Sequence, residues 1–316
     1  MGNIYLCHTP YHVLIALIRA MRSRPMPSRL VLSESVPEAL SLRERLLAAC
    51  PGLWEDITIV NEELLDAQNS ESAFYRLRHP GRRPYFSLPK EGRVYISNDW
   101  SALGRYLQRE RRVYTLCEDT CGGTLDPDQH LLEKQRAGAK GRYLYWGDSP
   151  CCRTVESEDA AQCTLFSPDK VAQFSAKKLL AELSEEEKSA VRAVFLTAPL
   201  PENTAGATLL LPRSFVQDGL MDQAEQDAIF LAVAEKYTEG PLFIKTHPRD
   251  DTDYAALFPG AVILPRTMPS EVLNFCLPFR FRRAVTVQSW VLRGFTAAEE
   301  TVFLTLEQAK ELVNQK

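Results

Sequence analysis

The chain has 316 residues, 45% of them hydrophobic and 25% charged, a balance that excludes a disordered segment, a collagen-like repeat and a disulfide miniprotein, and its length is that of two ordinary domains. Against 37 Lys and Arg stand 41 Asp and Glu, and the net charge of −4 argues against a dedicated nucleic-acid binder. No run of about 18 apolar residues occurs, and Met1 to Leu6 lacks the basic start and apolar core of a signal peptide, so the sequence reads as a cytoplasmic protein.

Strand and helix patterns alternate from the start. Asn3 to Cys7 reads as a buried strand and Pro10 to Met21 as a helix with proline where a missing N–H costs nothing. A strand at Arg29 to Leu32, a helix at Pro37 to Ala49, and strands at Ile57 to Val60 and Arg93 to Ser97 follow. A helix from Trp100 to Arg111 and strands at Arg112 to Cys117 and Arg142 to Trp146 complete the half. Such βαβ alternation predicts a parallel sheet covered on both faces. A Lys- and Glu-rich helix from Lys170 to Lys188 and an amphipathic stretch to Leu196 come next, and the Pro/Gly/Asn cluster from Ala198 to Gly206 reads as an interdomain hinge. Alternation restarts with a strand at Thr208 to Leu211, a helix at Asp222 to Lys236 and strands at Pro241 to Lys245 and Ala261 to Leu264. A helix at Ser270 to Cys276, a strand at Ala284 to Val287 and a helix from about Trp290 come after it. The expectation is two α/β domains, residues 1–200 and 201–316, with function beyond the carboxyl ends of their strands.

Eight cysteines are too dilute for a disulfide framework and read as reduced thiols; zinc held by Cys117, Cys121, Cys151 and Cys152 is the sharper alternative, with spacing unlike paired Cys-x-x-Cys. The basic, Pro-rich stretch from Arg76 to Arg93 reads as a solvated loop, and otherwise as a surface for an anionic acceptor or membrane headgroups at the inner face of the membrane. His79-Pro80 lies in this loop with no strand before it.

Three strand ends carry chemistry. Glu118 and Asp119, before Gly122 and Gly123, supply a candidate general base for a hydroxyl nucleophile, or else a polar turn. Lys245, His247, Pro248 and Arg249 form a cationic strand end suited to a phosphate, or else a solvated one. Gln288 and Ser289 open a predicted helix, where serine either caps or, beside free N–H groups, meets a phosphate.

Together the segments CHTPYHVLIAL (Cys7 to Leu17), Glu118-Asp119, FIKTHPRD (Phe243 to Asp250), MPSEVLNF (Met268 to Phe275) and TVQSW (Thr286 to Trp290) resemble bacterial sialyltransferases of glycosyltransferase family 52, the lipooligosaccharide type, kin to the capsule polysialyltransferases. LLLPRSFVQDGLM (Leu209 to Met221) resembles that family's first nucleotide-domain strand, so the likeness runs in order along nearly the whole chain. The resemblance implies a GT-B fold, two Rossmann-like domains facing a central cleft, and inverting transfer of sialic acid from CMP-sialic acid to a hydroxyl of a glycan acceptor. It implies Glu118 or Asp119 as the base and His247 as the group that meets the CMP phosphate and assists its departure. Ser289 with Gln288, and Arg213 and Ser214 beside Lys245, Pro248 and Arg249, fall on the donor side; Thr9, Pro10 and His12 fall on the acceptor side. It further implies a last helix, Leu306 to Asn314, packed back across the hinge. Two features depart from the family pattern: Thr120 and Cys121 separate the acid pair from Gly122, and Gln288 stands where a second hydroxyl is usual.

A leaving group with one phosphate is neutralised by cations and a helix N-terminus, so neither cofactor nor metal is expected. Asp126-Pro-Asp128 has the spacing of a metal motif but lies in the first half and reads as a turn. Two competing readings remain, a catalytically silent sugar-nucleotide-binding protein and a transferase or epimerase using another nucleotide sugar.

Overall fold

The computed structural model describes residues 2–79, 81–121, 143–197, 199–247, 250–292 and 294–315. The chain divides into two compact units, Met1–Glu187 and Lys188–Lys316.

In the first unit the elements run β1 (Asn3–Cys7), α1 (Pro10–Arg22), β2 (Ser28–Ser33), α2 (Ala39–Ala49), β3 (Trp54–Val60), α3 (Glu62–Ser70) and α4 (Ala73–Arg78). They continue with β4 (Arg93–Ile96), α5 (Ala102–Arg109), β5 (Tyr114–Leu116), β6 (Cys152–Ser157), β7 (Val171–Gln173), α6 (Ala176–Ala181) and the start of α7 (Glu185–Phe195). The strands form one sheet in the order β3-β2-β1-β4-β5-β6-β7, every pair parallel. Such a sheet is covered on both faces, which is why β1 and β2 are near-continuous apolar runs rather than alternating ones. Ile4, Leu6, Val31, Ile96, Leu103, Tyr114 and Leu116 meet in its core, each such side chain worth roughly 1.5–3 kcal/mol of burial. α1 starts where it does because the Thr9 side chain accepts the His12 N–H, Pro10 fills the first turn, and Arg19 and Arg22 lie at its negative end. α5 passes so close to the end of β4 that a Cβ at Gly104 would lie 1.9 Å from the Asp99 carbonyl oxygen, which restricts that position to glycine.

The second unit continues α7, then β8 (Thr208–Leu211), α8 (Gln223–Tyr237), β9 (Leu242–Lys245), α9 (Tyr254–Leu257), β10 (Val262–Leu264) and α10 (Ser270–Phe275). It ends with β11 (Phe281–Val287), a 3-10 turn (Trp290–Leu292), β12 (Ala298–Leu304) and α11 (Leu306–Asn314). Its sheet, also parallel throughout, has the order β10-β9-β8-β11-β12 around a core of Leu210, Phe215, Phe230, Ile244, Tyr254 and Val285. Within each sheet the first three strands grow outward one way and the next ones the other way, the doubly wound pattern of Rossmann-like domains. Reversal falls between β1 and β4 in the first unit and between β8 and β11 in the second.

Several predicted elements need correction. The single helix expected over Lys170 to Lys188 is instead the edge strand β7, which pairs with β6, followed by α6 capped by Ser175 and by α7. Residues 143–146 of the expected strand Arg142 to Trp146 form no strand, Arg142 itself lying outside the described residues, and the sixth strand is Cys152–Ser157. The helix expected from Trp290 is one 3-10 turn, followed by Gly294 at φ 77°, and the chain then enters β12. α11 has the predicted bounds and packs on α8 inside the second unit, where Lys310 Nζ lies 2.7 Å from Glu225 Oε1.

Candidate functional site

At the reversal point of the first sheet, the residues after β1 and β5 meet through one helix turn. The imidazole of His12, on the first turn of α1, accepts the His8 backbone N–H at Nδ1 over 3.2 Å. With that nitrogen accepting, the ring proton belongs on Nε2, which donates to Asp119 Oδ1 at 2.9 Å and approaches the Asp119 carbonyl oxygen at 3.2 Å. The His12 side chain is 2% exposed and that of Asp119 57%, so a buried ring orients a carboxyl group that stays open to solvent. Of the predicted acceptor-side residues, Thr9 spends its hydroxyl on capping α1 and Pro10 fixes the start of that helix; together they place His12.

The consecutive acids diverge. Glu118 is buried beside a small cavity lined by Tyr5, Arg19, Tyr95, Cys117 and Phe174, and neither of its oxygens completes a hydrogen bond of good geometry. Burial, with Glu158 and Glu156 nearby, pushes its pKa up to about 8, opposed by the Glu158 backbone N–H and Arg19. Arg19 is itself committed to Glu156, Nη2 to Oε2 at 2.5 Å, with its guanidinium 3.9 Å from the centre of the Phe174 ring. Near neutral pH Glu118 therefore holds its proton, and Asp119 is the acid of this pair that faces solvent.

His8 was not among the residues singled out in the sequence, although its spacing of four from His12 puts both on one side of a helix start. Its buried ring lies 3.5 Å from Glu62 Oε1, and burial, reinforced by His12 and opposed by Glu62, lowers its pKa to about 4, so it is neutral. A second carboxylate, Asp99 after β4, is wholly buried and accepts the N–H groups of Trp146 at 2.7 Å and Gly147 at 2.9 Å and the Tyr114 hydroxyl at 2.9 Å. Trp146 and Gly147 both have positive φ, 57° and 82°, a turn that brings both N–H groups to Asp99, whose pKa burial raises against the pull of these hydrogen bonds.

In the second unit a row of hydroxyls follows four neighbouring strands: Thr267 after β10, Thr246 after β9, Ser214 after β8 and Ser289 after β11. The side-chain oxygens of Thr267, Thr246 and Ser214 are buried with no hydrogen-bond partner among the described residues, and a buried hydroxyl left unpaired costs about 1–3 kcal/mol relative to a paired one. The two threonines escaped the sequence analysis, because Thr246 lies inside the cationic motif and Thr267 immediately before the MPSEVLNF segment, where neighbouring residues carry the stronger signal. Arg213 ties the two sides of the reversal point together: its Nε lies 2.9 Å from Asp218 Oδ2 and its Nη1 donates to the Gln288 carbonyl at 3.0 Å. Gln288 adopts a left-handed φ of 49° while its N–H donates to Leu304, which turns the chain sharply before Ser289.

The cationic strand end is less open than its sequence implied. Lys245 is buried, donates to the carbonyls of Thr246 at 2.7 Å and Arg266 at 3.4 Å, and has its pKa lowered to about 8 by burial and by Arg266, with Glu271 opposing. His247 is half-buried just past β9, its carbonyl accepting the Asp250 N–H. Pro248 and Arg249 lie outside the described residues, as do Gly122, Gly123, Asp126 and Asp128. Because only a 3-10 turn follows Ser289, whose Oγ accepts the Val291 N–H at 3.4 Å, the phosphate-binding helix N-terminus anticipated there is not formed. Among the described residues no group of three or more His, Cys, Asp or Glu side chains could hold a metal ion.

No protein-family model matches the chain. It is 31% identical over 127 residues to an uncharacterized protein of Haemophilus influenzae, an overlap of 38% of this chain and 40% of that protein's length. Among solved structures it is similar to a UDP-GlcNAc 2-epimerase from Neisseria meningitidis, with a TM-score of 0.53 at 9% identity, covering all of this chain and 85% of that one. It also aligns with an α/β-galactoside α-2,3-sialyltransferase from Photobacterium phosphoreum, with a TM-score of 0.49 at 12% identity over 99% of this chain and 93% of that one. At such identities the epimerase likeness is one of fold, and with the two doubly wound parallel sheets it defines a GT-B-type α/β protein of two Rossmann-like domains.

Proposed function

We infer that the protein is a metal-independent, inverting glycosyltransferase that moves sialic acid from CMP-sialic acid to a hydroxyl of a glycan acceptor. The observation that carries this reading is the carboxylate of Asp119, exposed at the carboxyl edge of the first sheet and held at 2.9 Å by the buried Nε2–H of His12. A carboxylate so fixed suits the removal of a proton from an attacking hydroxyl, while His12 acts as a positioning residue. The row of hydroxyls in the second unit supports a nucleotide-sugar site there, since a buried unpaired hydroxyl gains most from a ligand that supplies its missing partner. The choice of CMP-sialic acid rests on the resemblance of the motifs, in which His247, Ser289, Gln288, Lys245, Pro248 and Arg249 lie on the donor side.

In the reaction so assigned, the acceptor oxygen forms its bond to the anomeric carbon as Asp119 takes the hydroxyl proton. The anomeric carbon–oxygen bond to phosphate breaks, its electron pair leaves with CMP, and His247 supplies a proton to the departing phosphate. Asp119→Asn tests the assignment: turnover falls by roughly 100-fold or more while nucleotide affinity stays nearly unchanged. Undiminished turnover in that variant removes Asp119 from the mechanism.

A further inference from the structure

The basic excursion of the first unit forms a second feature, away from the strand ends. Glu62, at the start of α3, lies beside His8; at the other end of that helix, Gln68 and Glu71 join Tyr106, Arg109 and Glu110 at the far end of α5. With Tyr75, His79, Arg82, Arg83 and Tyr85 they line a pocket of about 540 Å³. Parallel strands and their return helices run in opposite directions, so this pocket sits toward the amino-terminal edge of the sheet, opposite His12 and Asp119.

Three properties of its surroundings point the same way. Residues 76–93 contain six Lys or Arg against one Glu, and Arg83 is exposed with no partner among the described residues. Large apolar side chains crowd the same surface, with Leu77 78% exposed, Phe74 61% and Leu64 53%. Amphipathic rings sit between the two classes: Tyr75 and Tyr85 are both exposed, Arg82 donates to the Tyr75 hydroxyl at 2.8 Å, and the Arg78 guanidinium lies 4.1 Å from the centre of the Phe74 ring. Exposed Phe and Leu beside Tyr and Arg, on a short helix next to a basic loop, is the composition of an interfacial membrane contact, with tyrosines at headgroup level and arginines at the phosphates.

Two of the arginines that line the pocket are paired with carboxylates that also line it, Arg82 with Glu71 at 3.0 Å and Arg109 with Glu110 at 3.6 Å, which leaves Arg83 as the cation turned to solvent. We propose that this end of the first unit docks on an anionic lipid bilayer, Phe74 and Leu77 entering the acyl boundary and Arg83 at the pocket rim meeting a headgroup phosphate. The docking needs no sugar nucleotide and stands or falls independently of the transferase reading. The test is co-sedimentation of the full chain with vesicles of phosphatidylcholine alone and of phosphatidylcholine with phosphatidylglycerol, at low and at raised salt. Binding is expected to the anionic vesicles only and to weaken with salt. Arg83→Glu and, separately, Leu77→Glu each reduce it by at least about tenfold, with unchanged melting temperatures, because both side chains are exposed. Equal binding to both vesicle types, or none to either, overturns the proposal. So does stabilisation by soluble glycerol phosphate without vesicle binding, which assigns the pocket to a small phosphorylated molecule instead.

Discussion

The carboxyl edges of the two sheets share a topology and differ in how their polar groups are satisfied. In the first unit the groups that hold Asp119 and Asp99 are partnered within the protein: His8 N–H to His12, His12 to Asp119, and the N–H groups of Trp146 and Gly147 to Asp99, while the buried Glu118 carboxyl and His8 ring stand beside them without a hydrogen bond of good geometry. In the second unit Ser214, Thr246 and Thr267 bury hydroxyl oxygens that have no partner among the described residues, and Arg213 braces the two loops beside them. The contrast separates two kinds of task. A general base needs its geometry fixed before substrate arrives, whereas a site for a polar ligand retains unmet hydrogen-bonding capacity, at a cost in stability.

Thr246→Val breaks this comparison most sharply. In the free protein it removes a buried, unpaired hydroxyl and is expected to leave stability unchanged or raise it by about 1 kcal/mol, while it weakens nucleotide binding by roughly tenfold. Thermal shifts with CMP, CDP, UDP and GDP read both effects, since a ligand at 100 times its Kd adds about 2.7 kcal/mol. CMP is expected to give the largest shift and Thr246→Val to shrink it; a loss of stability in the free variant with unchanged CMP response would make the threonine merely structural.

Glu118 sharpens the other side of the comparison. Its folded pKa of about 8 lies above the ordinary 4.5, so the native state binds an extra proton between those values and loses stability as pH rises through that window. Glu118→Gln has no proton to lose. Relative to the native chain its melting temperature is expected to be nearly equal at the acid end, to gain steadily through the window and to level off above pH 8. A constant difference across that range would show that Glu118 is ionised throughout.

Much of this was legible in the sequence, and what was not has identifiable causes. The parallel sheets announced themselves because strands covered on both faces are written as apolar runs, as in Asn3–Cys7 and Thr208–Leu211. β7 was misread because an exposed edge strand of three residues carries little pattern, and the Lys- and Glu-rich flanks of Val171–Gln173 favour helix locally. β12 was missed because its middle, Glu299 to Thr301, is exposed and polar. The acid pair stood out as consecutive carboxylates at a strand tip, but which acid faces outward depends on long-range packing: Arg19 from α1 and Glu156 from β6 surround Glu118. The inward turn of Lys245 was likewise invisible, since its partners are backbone carbonyls.

The central claim is glycosyl transfer with inversion, and following the anomeric carbon by NMR tests it most directly. Purified protein incubated with CMP-sialic acid and a panel of glycan acceptors differing in their terminal sugar is expected to release CMP with one of them and to yield a sialoside of inverted anomeric configuration. Intact donor with no CMP formed, or a product of retained configuration, would contradict the account.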